Sequence, residues 1–398
     1  MSPPLRFSTR VVAADVLVPR DVAAWSALEA RAFEPNAYVS PHFVLPAARH
    51  LTPGIAPKIF LVERDAEDVR KLVGVAVFTP AAATRRFPFR SLVAYRCEHS
   101  YLSGLLFDRE CQPQALQALL GFVHDAMPQI KAIEIEGAWA DGALVQALHA
   151  NENRSDGTPH CAASVSRAIL VPSECEKRLR DDKVLVQRVR DLDRKKRRLG
   201  EQGEVGWRWH RAAGVPEAAL EAFLRLEHSG WKAEQGTSLR SKPNEEAFFR
   251  EVVAGFASEG RALFTELTLG GEPIASSCHF ISGRVGFGFK IGWDPQNHKA
   301  SPALLNELEL MRNAARVVGD LEFLDSGAAP DSWIDKLWLS QRHVSTLWIP
   351  TRASGAHALR LVAWARRLKR AMRGIGAKGA PVPAAERKLV EAAHGQAG

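Results

Sequence analysis

The stretch RVGFGFKIGWDPQNHKASPALLNELEL, residues 284–310, decides how the chain is read. Its first part is an apolar run that predicts a strand ending at Trp293. A polar loop carrying His298 and Lys299 follows, and Ser301-Pro302 opens a helix. Ser301 is expected to cap that helix, its hydroxyl accepting a bond from an amide of the first turn. Proline suits the first turn because its missing N–H has no intrahelical acceptor there. A strand that runs into a helix N-terminus presents unbonded amides and the positive end of the helix dipole, a natural anion site. Lys299 would add a full charge. The plainer alternative is an ordinary capped helix.

Working outward, the elements around this stretch recur. The second half reads as helix (PEAALEAFLRLEHSG), loop, helix (NEEAFFREVVAGFA), hairpin (ALFTELTLGGEPIASSCHF), strand (RVGFGFKIGW), helix (SPALLNELELMRNAA) and strand (LEFLDSG). The first half gives the same order: DVAAWSALEARAF, HFVLPAARHL, KIFLVERD, KLVGVAVFTP, PQALQALLGFVHDA and KAIEIEG. Pro113 and Pro302 open corresponding helices, and Gly137 and Gly327 follow corresponding strands. Two α/β lobes of similar topology follow from this. Between them, Leu185, Val189, Leu192 and Leu199 fall at helical spacing in a basic stretch, 177–200, read as one helix docked on the second lobe. GEVGWRWHR is that lobe's first strand.

The chain has 398 residues and a formal charge of +8. Residues 177–198 hold 11 basic and 4 acidic residues, and residues 352–398 hold 10 basic and 2 acidic. Together these segments exceed the whole net charge, so the remaining body is mildly acidic. A polyanion partner must use those two segments. At 46% hydrophobic and 25% charged residues the composition excludes wholesale disorder. No window has the apolar length of a membrane span, and the N-terminus lacks the apolar core of a signal peptide. A cytoplasmic protein is expected, with Cys97, Cys111, Cys161, Cys175 and Cys278 as buried thiols and no metal site. No Walker loop, Rossmann glycine triplet, G-x-S-x-G elbow or H-E-x-x-H occurs.

The co-linear series RVRDLDRKKRRLGEQGEV, LEHSGWKAEQGTSL, AFFREVV, FTELTLGGEPIASSCHF, FKIGWDPQNHKASPALLNELE and FLDSGAAPDSWIDKLW, about residues 166–345, resembles the GNAT acyltransferase superfamily in its CelD-like (cellulose-biosynthesis) branch. That branch is similar to the FemAB-type aminoacyl transferases, which pair two GNAT lobes. NAYVSPHFV and LVGVAVF resemble the degenerate opening of the same family. The resemblance implies an α/β fold of two GNAT-like lobes, with mixed, mostly antiparallel sheets and flanking helices. The lobes would be 1–165, degenerate, and 166–350, the acyltransferase, followed by a basic helix and flexible tail over 351–398. It implies acetyl-CoA or another acyl-CoA as co-substrate. The thioester arm would lie along the strand through Phe289, Ile291, Gly292 and Trp293, and the pyrophosphate in the loop of His298, Lys299, Ser301, Ala303 and Leu304. Two departures matter. The glycine-rich phosphate loop is absent, with Ala303 where the branch has glycine. The tyrosine many GNAT enzymes use to protonate the leaving thiolate has no counterpart in the second lobe. Tyr38, Tyr95 and Tyr101 all lie in the first, so that acid is missing or comes from across the cleft.

Candidate catalytic groups are Asp325, Glu227 and Lys290. Asp325 follows an apolar strand, where burial would raise its pKa toward that of a general base; a cap or turn role is the alternative. Glu227 would orient or deprotonate an amine, or be an exposed helix-end glutamate. Lys290 interrupts an apolar strand and needs a partner or a cleft. Trp231, Lys232 and Lys336 are candidate substrate-binding residues, the lysines matching the family pattern. Trp231 or Trp293 would stack on a sugar or an adenine, or belong to the core. His279 reads as a satisfied core histidine.

These readings make the protein an acyl-CoA-dependent N- or O-acyltransferase, an acetyltransferase in the first instance, acting on a small-molecule or saccharide acceptor in polysaccharide or cell-envelope metabolism. A FemAB-like transferase using aminoacyl-tRNA and a catalytically degenerate scaffold are the alternatives. In the tail, Leu361, Trp364, Ala365, Leu368 and Met372 share one helix face and Arg360, Arg366, Arg367, Arg370 and Arg373 the other. Residues 356–373 thus suit an anionic membrane surface at the inner face, or packing on the body or a partner protein.

Overall fold

Two successive runs of strands, one from each half of the chain, join into one sheet. The structure, a computed structural model, describes residues 6–376 apart from 53, 56, 67–68, 85–86, 151–158 and 212–213. The first half contains β1 (Phe7–Ala13), α1 (Pro19–Glu29), α2 (Pro41–His50), β2 (Lys58–Ala66), β3 (Val69–Ala81), β4 (Arg90–Ala94), β5 (Leu105–Phe107), α3 (Gln112–Ala126), β6 (Ile130–Trp139) and α4 (Ala143–Ala150). β7 (His160–Leu170), α5 (Pro172–Asp181) and α6 (Lys183–Gly200) lead into the second half. There follow β8 (Val205–His210), α7 (Glu217–Glu227), α8 (Trp231–Glu234), α9 (Pro243–Ser258), β9 (Ala262–Leu269), β10 (Glu272–Ser282) and β11 (Val285–Trp293). The chain continues with α10 (Pro302–Arg312), α11 (Ala314–Val317), β12 (Phe323–Asp325), β13 (Ser340–Pro350) and α12 (Ala353–Gly376).

The expected repeat is visible in the strand order, β1-β2-β3-β4-β6-β13-β7-β12-β11-β10-β9-β8, with β5 on β3. Read from either edge, the sheet runs through three antiparallel pairings to a parallel one, β4 with β6 and β11 with β12. The next strand in is exchanged. β7, which closes the first half in sequence, pairs with β12, and β13, which closes the second, pairs with β6. β7 and β13 then pair antiparallel at the seam from His160↔Trp348 to Ile169↔Ser340. The expected boundary at 165/166 falls inside β7. Gly137 and Gly327 both have positive φ, 76° and 66°, but only Gly327 follows its strand, β12, whereas Gly137 lies inside β6.

The core crosses the seam. Trp25 and Phe43 of the first half and Phe223, Phe248, Phe249 and Phe256 of the second meet Phe264, Phe280, Phe287 and Phe289 on one face of the sheet. The opposite face is covered by α5, α6 and α10 in the second half and by α3 and α4 in the first. The basic stretch forms two helices instead of one. Asp182 breaks it, accepting bonds from Val184 N and Leu185 N (both 3.0 Å) as the N-cap of α6. Four cysteines are buried as expected, but Cys161, opposite Leu347 on β7, is exposed.

α12 docks by a different face than its sequence suggests. Ala356 and Leu359 are buried, Leu359 in a cluster with Phe87, Ala132 and Trp348, whereas Leu361 and Trp364 are 67% and 63% exposed. The side chains of 365–376 and the whole of 377–398 lie outside the described residues. Among the described residues no helix is long and apolar enough to cross a membrane.

Candidate active site

β11 is held by β12 only from Val285↔Phe323 to Phe287↔Asp325. Beyond Phe287 it pairs with β10 alone, so from Gly288 its other edge is open to whatever lies between the two strands. An extra residue, Phe289, sits between Gly288 and Lys290, the partners of His279 and Cys278. A bulge of this kind bends the strand and re-aims its backbone groups. Two carbonyls on the open edge are already engaged: Tyr38 Oη donates to Gly288 O (3.2 Å) and Lys232 Nζ to Ile291 O (2.9 Å).

The opening is a cavity of about 320 Å³. Gly288, Phe289, Lys290 and Ile291 form one wall, Ser326 to Ala328 and the Ser332–Ile334 segment another, and Ser277, His279, Glu307 and Trp338 a third. Tyr101 of the first half closes it. The Tyr101 carbonyl accepts from Arg167 Nη2 (3.1 Å), and its ring packs beside Tyr38 and Phe289, 5.7 and 6.3 Å between centroids. Burial, helped by the negative charge of Glu227, pushes the phenol well above its usual range. Gly327 makes this fit possible. A Cβ there would lie 2.6 Å from Gly288 O and 2.8 Å from the Tyr101 ring, on a backbone with φ of 66°.

Glu227, at the end of α7, is fully buried instead of exposed. Its Oε2 accepts from Leu239 N (2.8 Å), and its Oε1 faces Lys232 Nζ at 3.5 Å and Lys290 Nζ at 3.9 Å. It is thus the shared counter-ion of two cavity lysines. Burial lowers the pKa of Lys232, opposed by Glu227. Behind Lys290, His99 of the first half stacks on Phe248 and bonds through Nε2 to Glu245 (3.1 Å). Burial first, then the Lys290 charge, bring His99 down to about 4. Glu98, His99 and Glu245 cluster here, with Lys242 paired to Glu245.

Asp325 does not line the cavity. It is buried, its Oδ2 on Arg167 Nη1 (3.2 Å) and its Oδ1 on Gly327 N (3.0 Å). Burial raises its pKa, while the guanidinium pulls the other way. Both oxygens serve the junction of β7 with β12, the turn role foreseen as its alternative.

The loop before α10 departs from expectation in one respect. Ser301 adopts φ 54° and makes no side-chain cap bond. Its hydroxyl is turned aside to accept from Lys195 Nζ (2.7 Å). A non-glycine residue in this region carries strain of about 1–3 kcal/mol. Lys195 with Arg188, Arg194, Arg198, Asp191, Leu192 and Leu304 lines a second cavity, about 390 Å³, between α6 and the start of α10. Part of the α6 charge is spent on pairs: Arg194 with Asp191, Lys196 with Glu309 (2.8 Å) and Asp193 with Arg312 (2.8 Å). His298, bonded to Pro295 O (3.1 Å), and Lys299 are exposed.

Of the residues singled out in the sequence, Phe289, Lys290, Ile291 and Lys232 meet at the first cavity with Glu227 behind them. Gly292 lets α7 approach, since a Cβ there would strike Glu227 N. Leu304 lines the second cavity with Ala303 beside it, and Trp293 packs with the α10-side core. Lys336 is exposed and lines neither cavity. The Trp231 side chain lies outside the described residues. Sequence reasoning missed Tyr101, His99, Ser277, Glu307 and Trp338. The placement of all three tyrosines in the first half was the one signal for Tyr101. His279 is buried, but among the described residues neither ring nitrogen has a partner, so it is not the satisfied histidine expected.

An antiparallel sheet in which a bulged strand splays from a parallel neighbour, ahead of a helix N-terminus, frames the comparison with known proteins. Residues 187–333 match the acetyltransferase (GNAT) domain family. The matched stretch spans β8 to β12 and every residue lining the second cavity, and of the first cavity it leaves out Tyr101, Ile334 and Trp338. No curated protein sequence matches the chain. The fold is shared with solved structures at low identity. FemX is 12% identical with a TM-score of 0.52, over 82% of this chain and 95% of that one. The C-terminal domain of a putative lysylphosphatidylglycerol synthetase from Agrobacterium fabrum is 13% identical with a TM-score of 0.52, over 87% and 95%. A protein of unknown function from Bacteroides thetaiotaomicron is 10% identical with a TM-score of 0.53, over 84% and 98%.

Proposed function

We propose that the protein transfers an acyl group from an acyl-CoA thioester, acetyl-CoA in the simplest case, to the amine or hydroxyl of a small-molecule or saccharide acceptor. The observation that carries this reading is the open, bulged edge of β11 facing a cavity that Tyr101 closes. A thioester carbonyl laid along Gly288–Ile291 would meet backbone N–H groups there. Loss of one comparable oxyanion donor costs about 3–4 kcal/mol in other enzymes. The acceptor enters past Lys232 and Lys290, its nitrogen or oxygen bonds to the carbonyl carbon, and the C–S bond breaks. Tyr101, kept neutral by burial, gives its proton to the leaving thiolate. The acceptor's proton passes to solvent at the cavity mouth, and Tyr101 regains from solvent the proton it gave. Glu227 and Asp325 hold Lys232, Lys290 and Arg167 in place, so they act by positioning.

The second cavity suits the donor's phosphates. Arg188, Lys195 and Arg198 lie beside the α10 N-terminus, where the amides of Ala303 and Leu304 lack helical acceptors. The side chain of Ala303 leaves that end accessible. A CelD-like role in polysaccharide or cell-envelope metabolism, at the cytoplasmic side of a membrane reached through α12, belongs to this proposal. A second reading, aminoacyl-tRNA as donor, is favoured by the basic α6 groove, which would hold RNA phosphates equally well. Thermal-shift titration with acetyl-CoA, CoA and pantetheine tests the first reading. Stabilisation by the first two supports it, and none at millimolar concentration refutes it. Filter binding of tRNA at two salt concentrations tests the second, through the salt dependence that counterion release demands.

A further inference from the structure

We propose that the wall of the first cavity formed by Ser277, His279, Glu307 and Trp338 is a subsite for a primary ammonium group carried by one of the two substrates. The proposal rests on the acyl-transfer reading for the identity of those substrates, but not for the chemistry of the wall.

The wall is built from two elements. Ser277 and His279 lie two apart on β10, facing α10, and Glu307 lies in the second turn of that helix. Ser277 donates to Glu307 Oε1 (2.5 Å) and accepts from Asn306 Nδ2 (2.9 Å). Asn306 is anchored in turn by Thr265 (2.9 Å) and by Trp207 Nε1 (2.9 Å). Glu307 therefore holds a fixed direction. Among the described residues its Oε2, both nitrogens of His279 and Trp338 Nε1 have no partner, although these residues are only 3%, 3% and 2% exposed. All three border the same cavity. Buried polar atoms are as a rule hydrogen-bonded, so several unpartnered ones on residues that line one cavity point to a ligand that completes them.

The atoms also select the ligand. Glu307 Oε2 only accepts when ionised, and a neutral imidazole offers one acceptor nitrogen. The indoles of Trp333 and Trp338 add aromatic surface of the kind that favours cations. Burial lifts the Glu307 carboxyl to about 7, opposed only by the Ser277 hydroxyl, and holds His279 neutral at about 4. Among the described residues no lysine or arginine pairs with Glu307. A carboxylate or phosphate would face an ionised Glu307 with like charge, and a bare methyl would leave every atom unmet. An ammonium supplies three donors and favours the ionised carboxylate. The N–H of Trp338 is then left for an oxygen of the same molecule.

The ammonium can belong to the donor's acyl group or to the acceptor. Binding to the wild type and Glu307→Gln is measured by calorimetry with β-alanyl-CoA, propionyl-CoA and CoA, and with glucosamine and glycinamide. A donor source predicts that β-alanyl-CoA binds the wild type at least about tenfold more tightly than propionyl-CoA, a preference Glu307→Gln removes. An acceptor source predicts that the two thioesters bind alike while glucosamine or glycinamide binds the wild type about tenfold more tightly than the variant. Ser277→Ala, which frees Glu307 to turn away, must weaken the same ligand and guards against misfolding of the first variant. If the thioesters bind but no ammonium ligand distinguishes wild type from variants, the subsite is refuted and the donor reading stands. If no thioester binds, the donor reading fails and the free amines alone decide the subsite, their indifference to Glu307→Gln refuting it.

Discussion

Replacing Glu227 by glutamine removes one charge and almost no volume. Its amide oxygen can still accept from Leu239 N. What it loses is attraction to Lys232 at 3.5 Å and Lys290 at 3.9 Å. At an effective dielectric near 20 each attraction is about 4–5 kcal/mol before desolvation. Much of that offsets the burial of three charged groups, and breaking a buried pair by removing one partner costs about 3–5 kcal/mol net. Because Lys232 and Lys290 keep 25% and 15% of their side-chain surface exposed, the lower end, about 3 kcal/mol, is expected. Urea unfolding of the wild type, Glu227→Gln and the double variant Glu227→Gln/Lys290→Met measures it. The double variant, with one cation fewer, should recover about 1–2 kcal/mol. A loss below about 1 kcal/mol, or a double variant no more stable than the single one, would refute the counter-ion argument and return Glu227 to the role of proton acceptor.

Tyr101→Phe should lower kcat by about a hundredfold or more with donor affinity unchanged, read from steady-state kinetics and thermal shift. The triple variant Arg188→Ala/Lys195→Ala/Arg198→Ala should weaken CoA binding and flatten its salt dependence while sparing acetyl-pantetheine, read by calorimetry at two salt concentrations. Gly327→Ala should destabilise by about 2–3 kcal/mol in urea, from positive φ and the collision with Gly288 O. His279 has its pKa lowered to about 4 in the fold, so the unfolded chain binds the extra proton first. Its contribution is complete above about pH 6.5 and is lost as pH falls toward 4, on the order of 3 kcal/mol. His279→Asn should remove that share of the acid-side slope in pH-dependent unfolding.

Residues 284–310 were legible because their signals are local: an alternating run, a polar loop and a proline at a helix start. The strand and helix stand where expected. The exchange of β7 and β13 was not legible. Trp348 pairs with His160 across nearly half the chain, and no local pattern announces so distant a partner. Tyr101 and His99 lie in a segment without periodicity and meet the second half only in the fold, both at Phe289 and His99 also at Phe248 and Glu245. On α10 the polar run Asn306, Glu307 and Glu309 resembles a solvated face, yet all three are buried between β9, β10 and α6. Ser301 was legible as a helix start but not as a left-handed residue, a conformation Lys195 supports from another helix.

The exchanged strands make the two repeats mutually dependent. Neither can be excised at the boundary its sequence suggests, because each would carry away the strand that finishes the other. A chain cut after β12 would leave β6 and β7 with raw edges, each matched to the missing strand. The ready remedy for such a fragment is the same strand from a second molecule. The seam that encloses Tyr101 in the intact protein is therefore also where two damaged copies would interlock.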